Sequence, residues 1–314
     1  MRNLHVVTGA FGYSGKYIAA GLLARGCEVA TLTNSPHRPS ELAGKIRIAP
    51  LDFADRASLV AGLQGARVLY NTYWVRFDHR TFTHEAAVKN TEALFAAAKQ
   101  AGVERIVHVS ITNPSLDSKL PYFSGKARLE GALRETGIPH SILRPAVLFG
   151  GEDILINNIA WALRRLPIMG VFGDGKYGLR PIHVEDLAAL AVAEGEREGC
   201  RTVDAVGPES FTFRELVFAL GKIIDRPRRI VPVPPLLGLW VGRLIGWLQR
   251  DVFLTKEEIA GLMAGLLESN APATGAIRLS EWAAQHADSL GRNYASELRR
   301  RRERDVAYVE PTTR

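Results

Sequence analysis

Two short stretches of this 314-residue chain hold side chains whose types and spacing can do chemistry. In Leu120-Pro121-Tyr122-Phe123-Ser124-Gly125-Lys126 a phenol and an ammonium stand four residues apart. Pro121 suits the first turn of a helix, where its missing N–H is no loss. The i,i+4 spacing then puts Tyr122 and Lys126 on one face. Tyrosine is a poor base at neutral pH because its ordinary pKa is about 10. Bringing it to about 7 takes roughly 4 kcal/mol of differential stabilisation. A lysine one turn along and a helix N-terminus both favour the phenolate, so the pair is a candidate acid/base. A plain surface Tyr/Lys pair is the alternative.

The second stretch opens the chain: the apolar run Leu4–Thr8 breaks into Gly9, Phe11, Gly12, Tyr13 and Gly15. Tyr17, Ile18, Leu22 and Leu23 follow at helical spacing. A buried strand, a tight turn and a helix in this order place backbone amides and the positive end of a helix dipole against a pyrophosphate. A glycine triplet alone is a weak signal; the strand before it and the helix after it make it a dinucleotide-binding turn. Ser110 and Thr112 close a third informative run, Val107-His108-Val109-Ser110-Ile111-Thr112-Asn113. They stand at the carboxyl end of a predicted strand, the edge at which open parallel sheets bind ligands.

Glycines, hydroxyl, tyrosine and lysine in this order resemble the short-chain dehydrogenase/reductase superfamily. Two later segments resemble its extended, epimerase-like branch: Arg144-Pro145-Ala146-Val147-Leu148-Phe149-Gly150 and Pro181-Ile182-His183-Val184-Glu185-Asp186-Leu187-Ala188. The resemblance covers most of the chain to about Val206. It implies that Gly9, Phe11, Gly12, Tyr13 and Gly15 hold the pyrophosphate and that Asp52 and Phe53 meet the adenine. Asn71 and Thr72 would stand beside the ribose, with Pro145 also on the cofactor. Thr112, with Ser110 as runner-up, would polarise a substrate carbonyl. Tyr122 would be the acid/base, and Lys126 would orient the nicotinamide ribose. The activity implied is hydride transfer between nicotinamide and a small carbonyl/alcohol substrate.

Three departures bear on the substrate. Thr112 and Tyr122 are close in sequence, Gly125 stands where serine is usual, and Arg180 is out of register with the arginine that grips a sugar-nucleotide diphosphate. A nucleotide sugar is therefore not expected. The trimmed pattern is similar to the atypical branch, which includes NmrA-like proteins and the nucleotide-binding accessory subunit of respiratory complex I. The alternative function is accordingly a non-catalytic NADP(H)-binding structural or sensor protein, associated with a respiratory complex or membrane.

Cofactor choice is read after the second predicted strand. Thr31-Leu32-Thr33-Asn34-Ser35-Pro36-His37-Arg38 has no carboxylate for a ribose 2′-hydroxyl, and Asn34, Ser35 and Arg38 can donate to a 2′-phosphate. NADP is expected, with NAD as the alternative.

These motifs need elements to position them. Strands are predicted at Leu4–Thr8, Glu28–Thr33, Ile46–Leu51, Arg67–Asn71, Arg105–Ser110 and His140–Arg144, with helices between most of them, notably Phe82–Ala101 and Tyr122–Thr136. The alternation predicts an α/β fold, a doubly wound parallel sheet over residues 1–150 to which 181–206 returns. A smaller, mainly helical substrate domain is expected over 151–180 and 207–314, closing over the site. There, Ile154–Arg165 reads as a helix, Gly170–Gly175 as a loop, Arg180–His183 and Arg201–Val206 as strands, and Val184–Ala193 as a helix. Capping boxes stand at Thr212/Glu215 and Thr255/Glu258.

Composition is that of an ordinary globular chain, 46% hydrophobic and 23% charged, with net charge +7. An arginine run near the C-terminus supplies much of that charge; no zinc-finger spacing or aromatic-rich basic patch points to nucleic acid. Cys27 and Cys200, far apart and without histidine clusters, read as reduced thiols in a cytoplasmic protein with no metal. Pro235–Arg250 holds two tryptophans and glycines at 238, 242 and 246. It is too short to span a bilayer. The preferred reading is a buried helix walling the substrate pocket, and peripheral membrane contact is the less favoured one. Arg299–Arg302 with Arg304 read as a solvated helix end.

Overall fold

The computed structural model describes residues 3–307; residues 308–314 of the expected C-terminal domain lie outside them. The chain opens with β1 (Leu4–Thr8), α1 (Tyr13–Ala24), β2 (Glu28–Thr33), β3 (Arg47–Pro50), α2 (Arg56–Leu63) and β4 (Ala66–Asn71). It continues with α3 (His84–Ala101), β5 (Arg105–Val109), α4 (Pro121–Glu135), β6 (His140–Pro145), β7 (Val147–Phe149) and α5 (Leu155–Arg165). Next come β8 (Ile168–Phe172), β9 (Gly178–Leu179), β10 (Pro181–His183), α6 (Val184–Gly195), β11 (Arg201–Ala205) and β12 (Phe211–Thr212). The last elements are α7 (Phe213–Ile223), β13 (Arg229–Val233), α8 (Pro235–Gln249), α9 (Lys256–Met263), α10 (Leu279–Gln285) and α11 (Glu297–Arg302). The described residues form two compact units, one of residues 3–145 and 187–205, the other of 146–186 and 206–307.

The first unit is built on a seven-stranded sheet in the order β11-β6-β5-β4-β1-β2-β3, with every neighbouring pair parallel. This is the doubly wound α/β fold expected from the alternating pattern. Val6, Val7, Val68, Leu69, Ile106 and Ile142 lie fully out of solvent, as apolar runs must in a sheet covered on both faces. Strand order reverses between β1 and β4, so the turns after these two strands flank the crevice where such sheets bind ligands.

The second unit has its own core, in which Trp161, Leu163, Val171, Leu216, Leu220 and Leu279 are buried. Both expected capping boxes form: Thr212 with Glu215 opens α7, and Thr255 with Glu258 opens α9. Two expectations are corrected here. The segment read as a loop from Gly170 begins inside β8, which pairs in parallel with β13. The close approach of β13 accounts for a glycine within this strand, since a Cβ on Gly170 would lie 2.8 Å from Val233 Cγ2. The second correction concerns α8, which is not a buried wall. Leu236, Leu237, Trp240, Val241, Leu244, Trp247 and Leu248 are exposed, and only Gly242 and Gly246 are buried. The glycine row is the packed face: a Cβ on Gly238 would lie 2.3 Å from Phe172 Cε1, and one on Gly246 would lie 2.6 Å from the Asp251 carbonyl oxygen. In the arginine run Arg299, Arg302 and Arg304 are exposed, as expected of a solvated helix end, and Arg299 pairs with Glu303 and Arg301 with Glu297 along α11. Cys27 and Cys200 are free.

Candidate functional site

The glycine turn has the geometry its residue types require. Gly9 sits at φ +66° and accepts from the Gly12 amide at 2.7 Å, which folds the chain back onto β1. Gly12 is the N-cap of α1 and supplies no side chain, so the first amides of the helix have no side-chain cap. A Cβ on Gly15 would lie 2.4 Å from the Gly9 carbonyl oxygen, and one on Gly12 would lie 3.1 Å from it. Phe11 is buried beneath the turn, and Tyr13 opens the helix half-buried. This is a cradle of backbone donors that any side chain would fill, and a pyrophosphate fits it.

Around it the β4 edge is braced from within. The Thr72 hydroxyl donates to the Thr8 carbonyl at 2.7 Å, and the Thr72 amide donates to Thr8 Oγ1 at 2.8 Å. Asn71 is fully buried: its Oδ1 accepts from Thr8 Oγ1 and from the Tyr73 amide, and its Nδ2 meets His108 Nδ1 at 3.0 Å. Burial holds His108 well below the ordinary histidine value, so the ring is neutral. Asn71 therefore braces the strand end, its Oδ1 taking two donors and its Nδ2 turned to His108. Thr72 stands closer to the turn, its hydroxyl 3.9 Å from where a Gly9 Cβ would lie. After β3, Asp52 accepts from the Ala54 amide and is exposed, while Phe53 tilts against Tyr73 with centroids 4.7 Å apart. After β2, Asn34 is exposed, Ser35 is buried, and Arg38 is 6% exposed with its amide bonded to the Ser35 carbonyl. Arg38 is thus a held side chain and not a solvated one.

The Tyr/Lys pair opens α4 with Pro121 in its first turn. Tyr122 is half-buried and makes ring contacts with Trp74 at 5.6 Å, His84 at 5.7 Å and Phe123 at 5.6 Å. Lys126 is 2% exposed; its Nζ donates to the Val109 carbonyl at 2.7 Å and lies 4.4 Å over the Trp74 ring. Burial pushes its ammonium down to about 7, against the pull of the Glu130 carboxylate. Trp74 therefore joins tyrosine and lysine in one cluster. It also explains Gly125, where a Cβ would lie 3.0 Å from Trp74 Cη2 and 3.2 Å from Val88. His84 lies against both rings and is held by Asp78 at 2.7 Å. Sequence reasoning missed Trp74, His84 and Asp78; the available signal was aromatic and polar side chains between the end of β4 and the start of α3.

The two nominated hydroxyls separate. Ser110 is buried and donates to Glu130 Oε1 at 2.7 Å; the same carboxylate takes Arg144 at 2.6 Å and Arg134 at 3.1 Å. Burial works against the Glu130 charge, yet the bonds from Arg144 and Ser110 hold its carboxyl below the ordinary value. A hydroxyl has one proton to donate and Ser110 has given it, so Ser110 is a member of an ion cluster and not an oxyanion donor. Thr112 is fully buried; its amide donates to the carbonyl of Pro145, the last residue of β6. In the second unit Arg180 donates to the carbonyls of Gly207, Ser269 and Ala271, which leaves its guanidinium committed to backbone.

Residues 9–159 match the family described as NAD(P)H-binding. Most of that stretch lies in the first unit, which is similar to NAD(P)H-binding domains. Over 236 residues the chain is 28% identical to the NADH-ubiquinone oxidoreductase 40 kDa subunit, mitochondrial, of Neurospora crassa, covering 73% of this chain and 62% of that protein. It is 26% identical over 300 residues to (4-alkanoyl-5-oxo-2,5-dihydrofuran-3-yl)methyl phosphate reductase of Streptomyces griseus, covering 91% of this chain and 98% of that one. Among solved structures, Citrobacter triphenylmethane reductase complexed with NADP(H) superposes with a TM-score of 0.74 at 20% identity, over 90% of this chain and 99% of that one. That likeness is one of fold. The resemblance to the extended and atypical branches of the short-chain dehydrogenase/reductase superfamily is borne out.

The glycine turn makes one direct prediction. Gly15→Ala forces a methyl against the Gly9 carbonyl, and overpacking of this kind costs about 1–3 kcal/mol. Thermal unfolding should shift down by roughly 3–10 °C. NADPH affinity, read by fluorescence titration, should fall at least tenfold because the turn that presents the amides is pried open.

Proposed function

We propose that the protein is an NADP(H)-dependent oxidoreductase, or an epimerase-like relative of one, acting on a small carbonyl/alcohol pair. The observation that carries this reading is the Tyr122–Lys126 pair gathered round Trp74 at the head of α4. When bound, the nicotinamide supplies or accepts the hydride. The chain's own residues do the rest. Gly9, Gly12 and Gly15 present backbone amides to the pyrophosphate, Thr72 lies at the ribose side of the turn, and Lys126 orients the nicotinamide ribose. Tyr122 transfers the proton to or from the substrate oxygen, and Thr112 remains the hydroxyl assigned to the developing oxyanion. The Arg180 bonds to backbone support a substrate other than a nucleotide sugar. The reading keeps the cytoplasmic location suggested by the two free thiols. The test is a panel of carbonyls and alcohols followed by NADPH absorbance; a turned-over substrate supports the enzyme, and tight NADPH binding without any substrate overturns it.

A second reading, a nucleotide-binding protein without turnover, has its own support. Ser110 is committed to Glu130 and Thr112 is fully buried, so neither nominated hydroxyl faces solvent. The Neurospora relative is named as a subunit of a larger assembly. The same panel separates the two readings.

Cofactor preference is a further part of the proposal. NADPH should bind more tightly than NADH, because the loop after β2 offers Arg38 and Ser35 and no carboxylate. Arg38→Ala should remove most of that difference, about 1.5–3 kcal/mol for one charge-assisted contact. Equal affinities for the two nucleotides in the unmodified protein would sink the assignment.

A further inference from the structure

The packed side of α8 is its glycine row, and its large side chains lie on the other side. Trp240 is 67% exposed and Trp247 75% exposed, one on each of two successive pairs of turns. At 3.6 residues per turn, the seven exposed apolar residues of the helix fall within an arc of about 140°. Arg243 sits at the edge of that arc, exposed, with its guanidinium 5.6 Å from the Trp240 ring centroid. Arg250 closes the helix as its C-cap. Between Asp225 and Asp251 the sequence has five arginines and no aspartate or glutamate. Of these, Arg226, Arg229, Arg243 and Arg250 are exposed, while Arg228 donates to the Leu163 carbonyl.

We propose that α8 is an interfacial helix that seats the protein on an anionic lipid bilayer, with its leucines and tryptophans among the acyl chains and its arginines at the headgroups. The chemistry is specific to that occupant. A contiguous apolar face of this size on a protein surface marks an interaction site. Tryptophan, amphipathic and flat, favours the boundary between acyl chain and headgroup. Arginine at the rim can lay its stem on the apolar face while its charge meets phosphate. A helix of 15 residues is about 22 Å long, against a hydrocarbon core of about 30 Å, so it lies in the interface and does not cross. Among the described residues no helix is long and apolar enough to cross a membrane. A second copy of the chain is the poorer occupant. A two-fold contact of α8 on α8 would bring the same arginines together with no carboxylate from the segment to meet them. An anionic bilayer supplies the missing charge.

The experiment is flotation of the full chain with phosphatidylcholine vesicles, with and without phosphatidylglycerol at about one lipid in three. The unmodified protein should float with the anionic vesicles, stay behind with the neutral ones, and be released by high salt, which screens the arginines. Trp240→Gln with Trp247→Gln should lower the partition coefficient at least tenfold, and Arg243→Gln about fivefold. Both variants should keep the thermal unfolding curve and NADPH affinity of the unmodified protein, because the replaced side chains face solvent. Brominated acyl chains should quench tryptophan fluorescence in the unmodified protein and not in the double variant. Failure of the folded protein to float at low salt overturns the proposal, as does equal flotation of the double variant. A concentration-dependent dimer that the double variant abolishes, in place of vesicle binding, overturns it in favour of a second copy.

Discussion

Tyr122→Phe is expected to bind NADPH as tightly as the unmodified protein and to turn over any accepted carbonyl substrate roughly 10²–10⁴-fold more slowly, the usual scale for a general acid–base. The substitution removes one oxygen and keeps the ring. Its contacts with Trp74, His84 and Phe123, all at 5.6–5.7 Å between centroids, depend on the ring and survive. Each such aromatic pair is worth about 0.5–1.5 kcal/mol, so their survival keeps the head of α4 in place. A fall in kcat with unchanged nucleotide affinity and an unchanged unfolding curve would assign the loss to proton transfer alone. The measurement is NADPH absorbance with the best substrate from the panel, beside a fluorescence titration of the same preparation. Full activity in Tyr122→Phe would refute the acid/base assignment while leaving the nucleotide site intact.

What the sequence made legible were the features whose signal is local. The glycine turn needs only a strand before it, a helix after it and three glycines, and Gly9 and Gly15 are conformationally and sterically obligatory. The strands of the first unit announce themselves as apolar runs, and each falls within a residue or two of its predicted bounds. Capping boxes are defined by residues three apart and both form.

The features that stayed hidden depend on residues distant in sequence. Ser110 and Thr112 look alike on the page, and what separates them is Glu130, reached from α4 and itself held by Arg144 from β6. Trp74 and Asp78 lie on the irregular segment that leaves β4, which has no periodicity to reveal which ring meets Tyr122, and His84 opens α3 just beyond it. For α8 the pattern was visible and the inference from it was inverted. Large apolar side chains suggested the inward face, yet close backbone approach to Phe172 and Asp251 admits only the glycines, which turns the leucines and tryptophans outward. Hydrophobicity argues for burial of the large residues; steric room decided for the small ones.

Lys126→Met is expected to be more stable than the unmodified protein near pH 6 and less stable near pH 10. In the folded protein burial pushes the ammonium down to about 7, while in the unfolded chain it keeps its proton to the ordinary value of 10.5. Between those values the unfolded state binds a proton that the folded state has released, so the stability of the unmodified protein rises with pH across the window. Below about 7 both states are protonated and the full penalty applies; above 10.5 it is gone. At 1.36 kcal/mol per unit the penalty is about 5 kcal/mol. Methionine has no charge to desolvate and keeps a flexible apolar stem. Against that gain stands the lost bond to the Val109 carbonyl, worth about 1.5–3 kcal/mol for a charged donor. The net advantage of methionine near pH 6 is then about 2–3.5 kcal/mol, or roughly 4–14 °C in midpoint for a unit of this size. It should vanish and reverse as pH climbs through the window. Thermal unfolding of both proteins at several pH values reads the crossing directly; two curves separated by a constant offset would show that Lys126 does not titrate near neutrality. NADPH affinity should fall in the variant at every pH, because the ammonium is assigned to the nicotinamide ribose. A lysine that destabilises its own fold at neutral pH and strengthens nucleotide binding is the pattern of a group retained for function.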